Sequence, residues 1–349
     1  MKLNRFVFVK KNSTIFEAIE NLNKNKLQGF VIVTNKKKDL IGTITDGDIR
    51  RAIIKKIDLN SRVELIMRRN PKYIDYKDKD NFSLIFAKFK KHKIRHLVII
   101  KNKKINDLIV FDENNEDNLS KIPVVIMAGG EGKRMRPLTN KIPKPLIRIG
   151  KETIINRILK NLSANNFKNI FIIINYLGFK IKKKLGDGSK FGLKINYINE
   201  KKKLGTAGGL SLIKNFKYKN FILLNADILT NINYSELVKT HLEEKATFTI
   251  STVKYNYEVP YGIINRQTDK FNNLLEKPIF SHEINAGIYV LNSKVLKFIK
   301  RKYTDIDEVI KLLMKLKQKI SVFPIYENWN ELSRKKHLKN ITEKFSYEK

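Results

Sequence analysis

The sequence predicts a two-part α/β chain: a short α+β repeat, then a larger, mostly parallel sheet with helices on both faces. Three observations carry this. A helix–strand–strand pattern recurs in the first third at a constant offset, since 82 − 15 and 97 − 30 both give 67. Beyond Pro123, apolar runs of strand length alternate with stretches at helical spacing. The first of those runs, Val124–Met127, enters a glycine-rich turn, the kind of junction where backbone amides converge on phosphate.

In the first copy of the repeat, Ile15, Ala18, Ile19 and Leu22 fall at helical spacing and lead into Phe30–Val33. In the second, Phe82, Ile85, Phe86 and Phe89 lead into Leu97–Ile100. One such unit has a single apolar face and needs a partner to bury it. The strand-to-helix junction of copy one reads Gly42-Thr43-Ile44-Thr45-Asp46-Gly47-Asp48-Ile49-Arg50-Arg51. A hydroxyl at a helix start suits phosphate, and a carboxylate suits a ribose diol. Copy two has a shortened loop that sets Asp107, Val110 and Glu113 opposite Gly42, Thr45 and Asp48. The polar, acid-rich run from Asp112 to Lys121 reads as an interdomain linker.

The second part offers strand candidates at Val124–Met127, Ile170–Ile174, Ile195–Ile198, Phe221–Leu224, Thr247–Val253, Ile284–Leu291 and Ile320–Phe323. Ligands in open α/β sheets sit beyond the carboxyl ends of the strands. Ala128-Gly129-Gly130-Glu131-Gly132-Lys133-Arg134 follows the first strand, and Arg136 and Lys144 add positive charge nearby. This is no Walker loop, which would need glycine at Met127 and a hydroxyl at Arg134. Nor is it a dinucleotide fingerprint, which would need a third small residue at Met135. Asp227 directly follows the strand Phe221–Leu224 within Asn225-Ala226-Asp227, where a carboxylate faces the crevice and suits magnesium. Leu204-Gly205-Thr206-Ala207-Gly208-Gly209 forms a loop whose glycines permit close approach to a flat base.

The stretch from Ala128 to Leu146 resembles the signature of the sugar-1-phosphate nucleotidyltransferases, Gly-Gly-x-Gly-x-Arg-x-x-Pro-Leu-Thr followed by Pro-Lys-Pro-Leu. Leu204–Leu210, Pro260-Tyr261-Gly262, Glu276-Lys277-Pro278 and Asn285-Ala286-Gly287-Ile288-Tyr289 are similar to further elements of that family, in family order. The resemblance covers residues 123 to about 345 and implies the family's Rossmann-like nucleotide-binding fold. It implies transfer of a nucleoside monophosphate to a sugar-1-phosphate with release of pyrophosphate, with Mg2+ as cofactor. Arg134 and Lys144 then stand as catalytic cations. Ala128, Gly129, Gly130, Gly132, Lys133, Glu200, Gly205 and Thr206 line the nucleotide. Gly262, Glu276, Lys277 and Asn285 hold the sugar phosphate, and Asp227 and Glu331 hold the metal. Glu200 beside Lys201, Lys202 and Lys203 also reads as a surface ion pair.

The first part resembles a pair of CBS domains, in which the Thr45 and Asp48 positions often hold an adenine nucleotide. A structural or dimerising pair without ligand is the other reading, and a homo-oligomer through these domains is expected. The domain assignment is 1–58 and 59–115 for the pair, 116–122 for the linker and 123–349 for the transferase. CBS pairs joined to this enzyme type resemble bacterial enzymes of surface-glycan and nonulosonate pathways. That architecture favours guanylyl transfer from GTP to a hexose or hexosamine 1-phosphate over thymidylyl, uridylyl or cytidylyl transfer.

Two departures from the family pattern bear on competence. Lys133 stands where threonine or serine is usual, and Glu327-Asn328-Trp329-Asn330-Glu331-Leu332-Ser333 puts Glu331 and Ser333 where aspartate and glycine are expected. They motivate a second reading, a nucleotide-binding regulatory protein with a decayed enzyme domain.

Composition narrows the field. The chain has 349 residues and no cysteine, which excludes a disulfide framework and a thiolate metal site. It has no apolar run long enough for a membrane span and too short an apolar start for a signal peptide, so a soluble cytoplasmic protein is expected. The formal net charge of +37 raises a third reading, a nucleic-acid binder. Lysines are spread through nearly every loop, however, and no aromatic-interleaved basic motif accompanies them. Compositional drift is the reading adopted, with a field that still recruits anionic sugar phosphates and nucleotides.

Overall fold

The computed structural model describes residues 8–25, 29–79, 85, 88, 96–102, 104–110, 119–267 and 269–332. It divides into two compact units, Met1–Asn115 and Glu116–Lys349.

The sequence repeat of the first unit is a repeat of topology. β1 (Phe8–Lys10) lies parallel to β2 (Phe30–Thr34), which pairs antiparallel with β3 (Leu40–Thr45). β4 (Tyr73–Asp75) lies parallel to β5 (His96–Lys101), which pairs antiparallel with β6 (Lys104–Val110). Phe30, Ile32 and Val98 share one core, and the rings of Phe30 and His96 stack at 4.3 Å, so each sheet buries its apolar face on the other. Helix α1 (Ile15–Asn25) buries Ile15, Ala18, Ile19 and Leu22, the four positions that helical spacing selects. Of the matching helix in copy two, Phe82, Phe86 and Phe89 lie outside the described residues, while Ile85 is helical and buried.

One sequence alignment needs correction. Phe30 pairs with Thr45, and Leu97, 67 residues on, pairs with Ile109. The counterpart of Thr45 is therefore Ile109, one residue short of Val110. Each hairpin has one register irregularity; the offset comes from the shorter second hairpin, in which Lys101 pairs with Lys104 where Thr34 pairs with Leu40. Glu113 and most of the linker lie outside the described residues.

The second unit is built on a seven-stranded sheet. Its strands are β7 (Val124–Ala128), β10 (Asn169–Ile174), β11 (Lys194–Asn199), β12 (Asn220–Asn225), β14 (Phe248–Glu258), β17 (Ile279–Asn292) and β18 (Ile320–Ile325), in the order β11-β10-β7-β12-β17-β14-β18. The short pairs β8 (Arg148–Ile149) with β9 (Glu152–Thr153), β13 (Ile228–Thr230) with β19 (Trp329–Glu331), and β15 (Ile263–Gln267) with β16 (Lys270–Leu275) lie outside it. The four-strand half β11-β10-β7-β12 is all parallel, β17 runs antiparallel to both neighbours, and β14 is parallel to β18. Each of the seven apolar runs read from sequence falls on one of these seven strands, Thr247 alone lying just before its strand.

Alternation along the strands makes three layers. Val124 and Ile126 face a core with helices α3 (Ile154–Ala164), α4 (Gly178–Leu185) and α5 (Tyr234–Glu243). Val125, Ile173 and Leu223 face the opposite core with Val309 and Leu313 of α6 (Ile306–Lys315). Helix α3 starts where Thr153 accepts a hydrogen bond from the Asn156 amide, and its buried Ile154, Ile155, Ile158, Leu159 and Leu162 form one stripe. Parallel strands with helices on both faces leave one working edge, the carboxyl ends of β7, β10 and β12.

Candidate active site

At the carboxyl end of β7 the chain turns through Gly129 and Gly130 and reaches Gly132, whose φ of +63° is the left-handed conformation glycine tolerates best. The Thr139 hydroxyl donates to the Gly132 carbonyl at 2.9 Å. A Cβ on Gly132 would sit 2.9 Å from Thr139 Cγ2 and 3.3 Å from Lys144 Cβ. The Pro-Leu-Thr and Pro-Lys-Pro-Leu elements thus pack on the glycine turn, and Lys144 is placed by that packing. Its ammonium donates to Asp227 Oδ2, joining two motifs 83 residues apart, and both side chains are largely withdrawn from water.

Asp227 reaches that position because β12 ends at Asn225 and the chain turns into β13. β13 pairs antiparallel with β19, which sets Ile228 opposite Glu331, and the Leu332 amide donates to the Asp227 carbonyl at 2.9 Å. The two predicted metal carboxylates are therefore neighbours on one two-stranded edge. Among the described residues no cluster of three or more His, Cys, Asp or Glu occurs. Two carboxylates suit magnesium, which commonly takes one or two and completes its shell with substrate phosphates and water. Ser333 lies outside the described residues.

The cations of the glycine loop divide. Lys133 pairs with Glu131 at 3.6 Å, and Arg136 pairs with the same carboxylate at 3.4 Å. Arg134 is exposed in the short 3-10 turn Lys133–Met135. Among the loop's basic side chains it is the one available to a phosphate without breaking an ion pair.

Glu200 is not a surface ion pair. It is 7 % exposed, although Lys201–Lys203 beside it are exposed. Its amide donates to the Ile174 carbonyl and Asn175 Nδ2 donates to its own carbonyl at 2.7 Å, which pulls the residue to the end of β10. The carboxylate lies between the two glycine loops. A Cβ on Gly129 would be 2.8 Å from Oε2, and one on Gly209 would be 2.4 Å from Oε1. Oε1 is buried and has no hydrogen-bond partner among the described residues. Burial pushes the carboxyl up to about 7.

Thr206 and Gly205 serve the loop itself. The Thr206 amide and hydroxyl both donate to Asp305 Oδ1, at 2.9 and 3.0 Å, and the Ile306 amide donates to the Thr206 hydroxyl. A Cβ on Gly205, whose φ is +82°, would be 2.5 Å from the Thr304 carbonyl oxygen. The loop is thus clamped to the start of α6, where Asp305 and Glu308 form a capping box. Those hydrogen bonds hold the Asp305 carboxyl below its usual range despite partial burial. The Tyr303 hydroxyl donates to Asp305 Oδ2 at 3.1 Å, and no sequence motif pointed to either residue, 97 and 99 positions beyond Thr206.

The sugar-side residues fall into two groups. Asn285 accepts from the Gly287 amide at 2.9 Å, and Trp329 donates to the Ala286 carbonyl at 3.0 Å, so this segment is joined to the strand carrying Glu331. Gly287, with φ +69°, could not carry a Cβ, which would lie 2.5 Å from Ile228. Gly262 and Glu276 lie together on the β15–β16 hairpin, where a Cβ on Gly262 would be 3.0 Å from Glu276 Oε2. Lys277 follows with a positive φ of 45°.

In the first unit, Thr45 and Asp48 are engaged with one another. The Thr45 amide and hydroxyl donate to Asp48 Oδ2 at 2.9 and 2.6 Å, and the Asp48 amide donates back at 3.3 Å, a reciprocal cap on α2 (Asp46–Ile54). Arg51 donates to Asp48 Oδ1, and Arg68 lies 3.6 Å from it. A ribose diol at Asp48 would have to displace these partners.

Comparison with known proteins places both units. A family model described as nucleotidyl transferase matches residues 123–345, and one described as CBS domain matches residues 3–55. A mannose-1-phosphate guanyltransferase of Yarrowia lipolytica is 31 % identical over 222 residues, 61 % of this chain and 61 % of that one. A mannose-1-phosphate guanylyltransferase of Oryza sativa subsp. japonica is 34 % identical over 195 residues, 53 % of this chain and 54 % of its own. The chain thus spans about 61 % or less of the length of the curated relatives it matches. Among solved structures, HddC from Yersinia pseudotuberculosis matches 64 % of this chain and 99 % of its own, with a TM-score of 0.52 and 24 % identity, a likeness of fold.

Proposed function

The chain belongs to the nucleotidyl transferase family, and on that premise we propose that its second unit joins a nucleoside triphosphate to a sugar-1-phosphate and releases pyrophosphate. The observation that carries this reading is the Lys144–Asp227 pair, which locks the glycine-loop motif to the carboxylate edge at the carboxyl ends of adjacent parallel strands. An oxygen of the sugar phosphate attacks the α-phosphorus and pyrophosphate departs in line. The attacking group is already an anion, so positioning and charge stabilisation carry the rate. Arg134 and the amides of Gly129–Gly132 hold the leaving phosphates. Lys144 moves from Asp227 to the reacting phosphates when they arrive. Asp227 and Glu331 would hold magnesium, which would supply positive charge beside the leaving phosphates.

Glu200 supports GTP as the donor. An ionised carboxylate only accepts hydrogen bonds. Guanine is the common base whose pairing edge carries two adjacent N–H donors, N1–H and N2–H2. Uracil, thymine, cytosine and adenine each set an acceptor beside their donor. A guanine lying on the glycine loops would bring its edge to the Glu200 carboxylate, which lies between them. The relatives named mannose-1-phosphate guanylyltransferases agree with a guanylyl donor and a hexose 1-phosphate acceptor, for glycan precursor synthesis in the cytoplasm.

For the first unit the proposed role is a structural pair that carries a homo-oligomer, because Thr45 and Asp48 satisfy one another. Calorimetric titration with AMP and ATP tests it: binding abolished by Asp48→Ala would restore the adenine-nucleotide reading. For the second unit the test is pyrophosphate release by the purified chain. It is presented with each of four nucleoside triphosphates and several hexose and hexosamine 1-phosphates, with magnesium. Release restricted to GTP is expected; GTP binding without release from any pair would establish the decayed, regulatory alternative.

A further inference from the structure

β14 and β17 run past the main sheet. β18 accompanies β14 through Val253, and beyond it Lys254–Glu258 pairs with Ile279–Glu283 alone. The β15–β16 hairpin between them pairs only with itself. None of the described residues from 254 to 283 is buried. A two-stranded ribbon in water is marginal without an apolar face to pack. This one exposes large apolar side chains instead: Tyr261 is 73 % exposed, Ile279 69 %, Phe271 68 % and Ile264 62 %. They are not confined to one face. Ile264 sits across from Leu274, while the consecutive Leu275 points the other way, and both leucines are exposed. A wall for a bound sugar would need one apolar face; an arm apolar on both is shaped to be enclosed by another protein surface.

Charge identifies the occupant. The chain carries +37, yet residues 254–283 hold four basic and four acidic side chains. At the chain's mean density a segment of this length would carry about +3. An acidic partner would be met by the positive surface elsewhere, not by this neutral stretch. Two copies of the chain repel one another over most of their surface, and the arm is a segment where that repulsion vanishes and apolar area remains. The exposed Tyr, Phe, Leu and Ile side chains of the arm present on the order of 800 Å² over its two faces, so two arms that wrap one another bury the share that one partner contributes to a standard-size interface. We infer that the chain self-associates through residues 254–283, arm against arm about a two-fold axis.

The arm also carries Gly262, Glu276 and Lys277. If the proposed function holds, association therefore fixes the sugar side of the site; the interface itself does not depend on that reading. Two measurements on the full-length chain test it. Sedimentation equilibrium of the wild type should show reversible association, and Phe271→Glu with Ile279→Glu should lower the mass by a factor of two. Should the first unit add a second contact, the larger assembly still loses that factor. Hydrogen exchange of the wild type, which needs no variant to fold, should show faster exchange in residues 254–283 on dilution. A wild type monomeric at tens of micromolar overturns the inference. So does a folded double variant of unchanged mass, or an arm equally protected at every concentration, which would mean that its own chain covers it.

Discussion

Replacing Glu200 with glutamine tests the base-reading assignment with almost no change of shape. The side chain is 7 % exposed and wedged between Gly129 and Gly209, so the amide occupies the same place. What changes is the hydrogen-bond pattern. A charge-assisted bond to guanine, about 1.5–3 kcal/mol, is lost. An amide N–H then faces a guanine N–H, leaving buried donors unpaired at a further cost of about 1–3 kcal/mol. The sum, about 2.5–6 kcal/mol, is a fall of roughly 10²- to 10⁴-fold in kcat/KM for GTP. The same amide, acceptor beside donor, matches uracil and thymine, so UTP and dTTP should gain against GTP. Acidity gives a second readout. Burial raises the Glu200 carboxyl to about 7, and only its ionised form accepts two N–H donors. For the wild type, kcat/KM for GTP should climb as pH rises through about 7, and the climb should be absent in Glu200→Gln. Initial rates of pyrophosphate release with GTP, UTP and dTTP across this range give all three quantities. An unchanged GTP-to-UTP ratio in the variant would refute the assignment, whatever happened to absolute rate.

The other predictions follow from neighbouring contacts. Lys144→Ala and Asp227→Asn should each lower kcat by about 100-fold or more, the usual consequence of losing about 3 kcal/mol of charge stabilisation; full turnover in both would remove the assigned mechanism. Glu331→Ala should raise the magnesium concentration for half-maximal rate at least about ten-fold, whereas Glu331→Asp keeps the carboxylate and stays within a few-fold of wild type. Gly209→Ala would bring a methyl 2.4 Å from Glu200 Oε1 and 2.9 Å from Ile173 Cγ2, so KM for GTP should rise and the melting temperature should fall. His241, buried against Thr249 and Asn220, is held neutral, its pKa lowered by desolvation from 6.5 to about 4. The unfolded chain takes up that proton near 6.5 and the folded chain refuses it until about 4. The histidine's contribution should therefore fall by about 2 kcal/mol between pH 7 and 5 and level off below 4. Glu200, shifted the other way, makes the fold lose stability as pH rises from about 4.5 to 7. Urea unfolding of wild type against His241→Gln isolates the histidine, and parallel pH profiles would refute its role.

What the sequence made legible was whatever is encoded within a few residues. Each apolar run that reads as a strand is one, because a strand buried on both faces must be continuously apolar. The glycine loop and Asp227 were likewise found by local pattern plus their place after a strand. Contacts that join distant segments left no such trace. The β13–β19 pair has three residues on each side and no alternation to announce it, yet it brings Glu331 beside Asp227. Thr206 reads as a ligand residue in its own loop; its partner Asp305 is nearly a hundred positions away and turns it into a clamp. Thr45 and Asp48 show one spacing that serves two ends. It suits a nucleotide site, and it is also the spacing of the reciprocal helix cap that the geometry contains.

These outcomes share a cause that bears on the departures from the family pattern. Magnesium tolerates little error in ligand placement, so an aspartate-to-glutamate exchange is judged by what positions the carboxylate as well as by its length. Here the backbone carrying Glu331 is held on three sides. β19 pairs with β13, the Leu332 amide bonds the Asp227 carbonyl, and Trp329 donates to the Ala286 carbonyl. A side chain one methylene longer on an anchored strand can fold back to the same point at the cost of one more fixed torsion. On a free loop it could not. In the sequence Glu331 is both an expected metal ligand and a departure that motivates the decayed reading; its anchoring favours the first, and the same anchoring is why removal of the carboxylate should be read in the magnesium requirement before it is read in the stability of the fold.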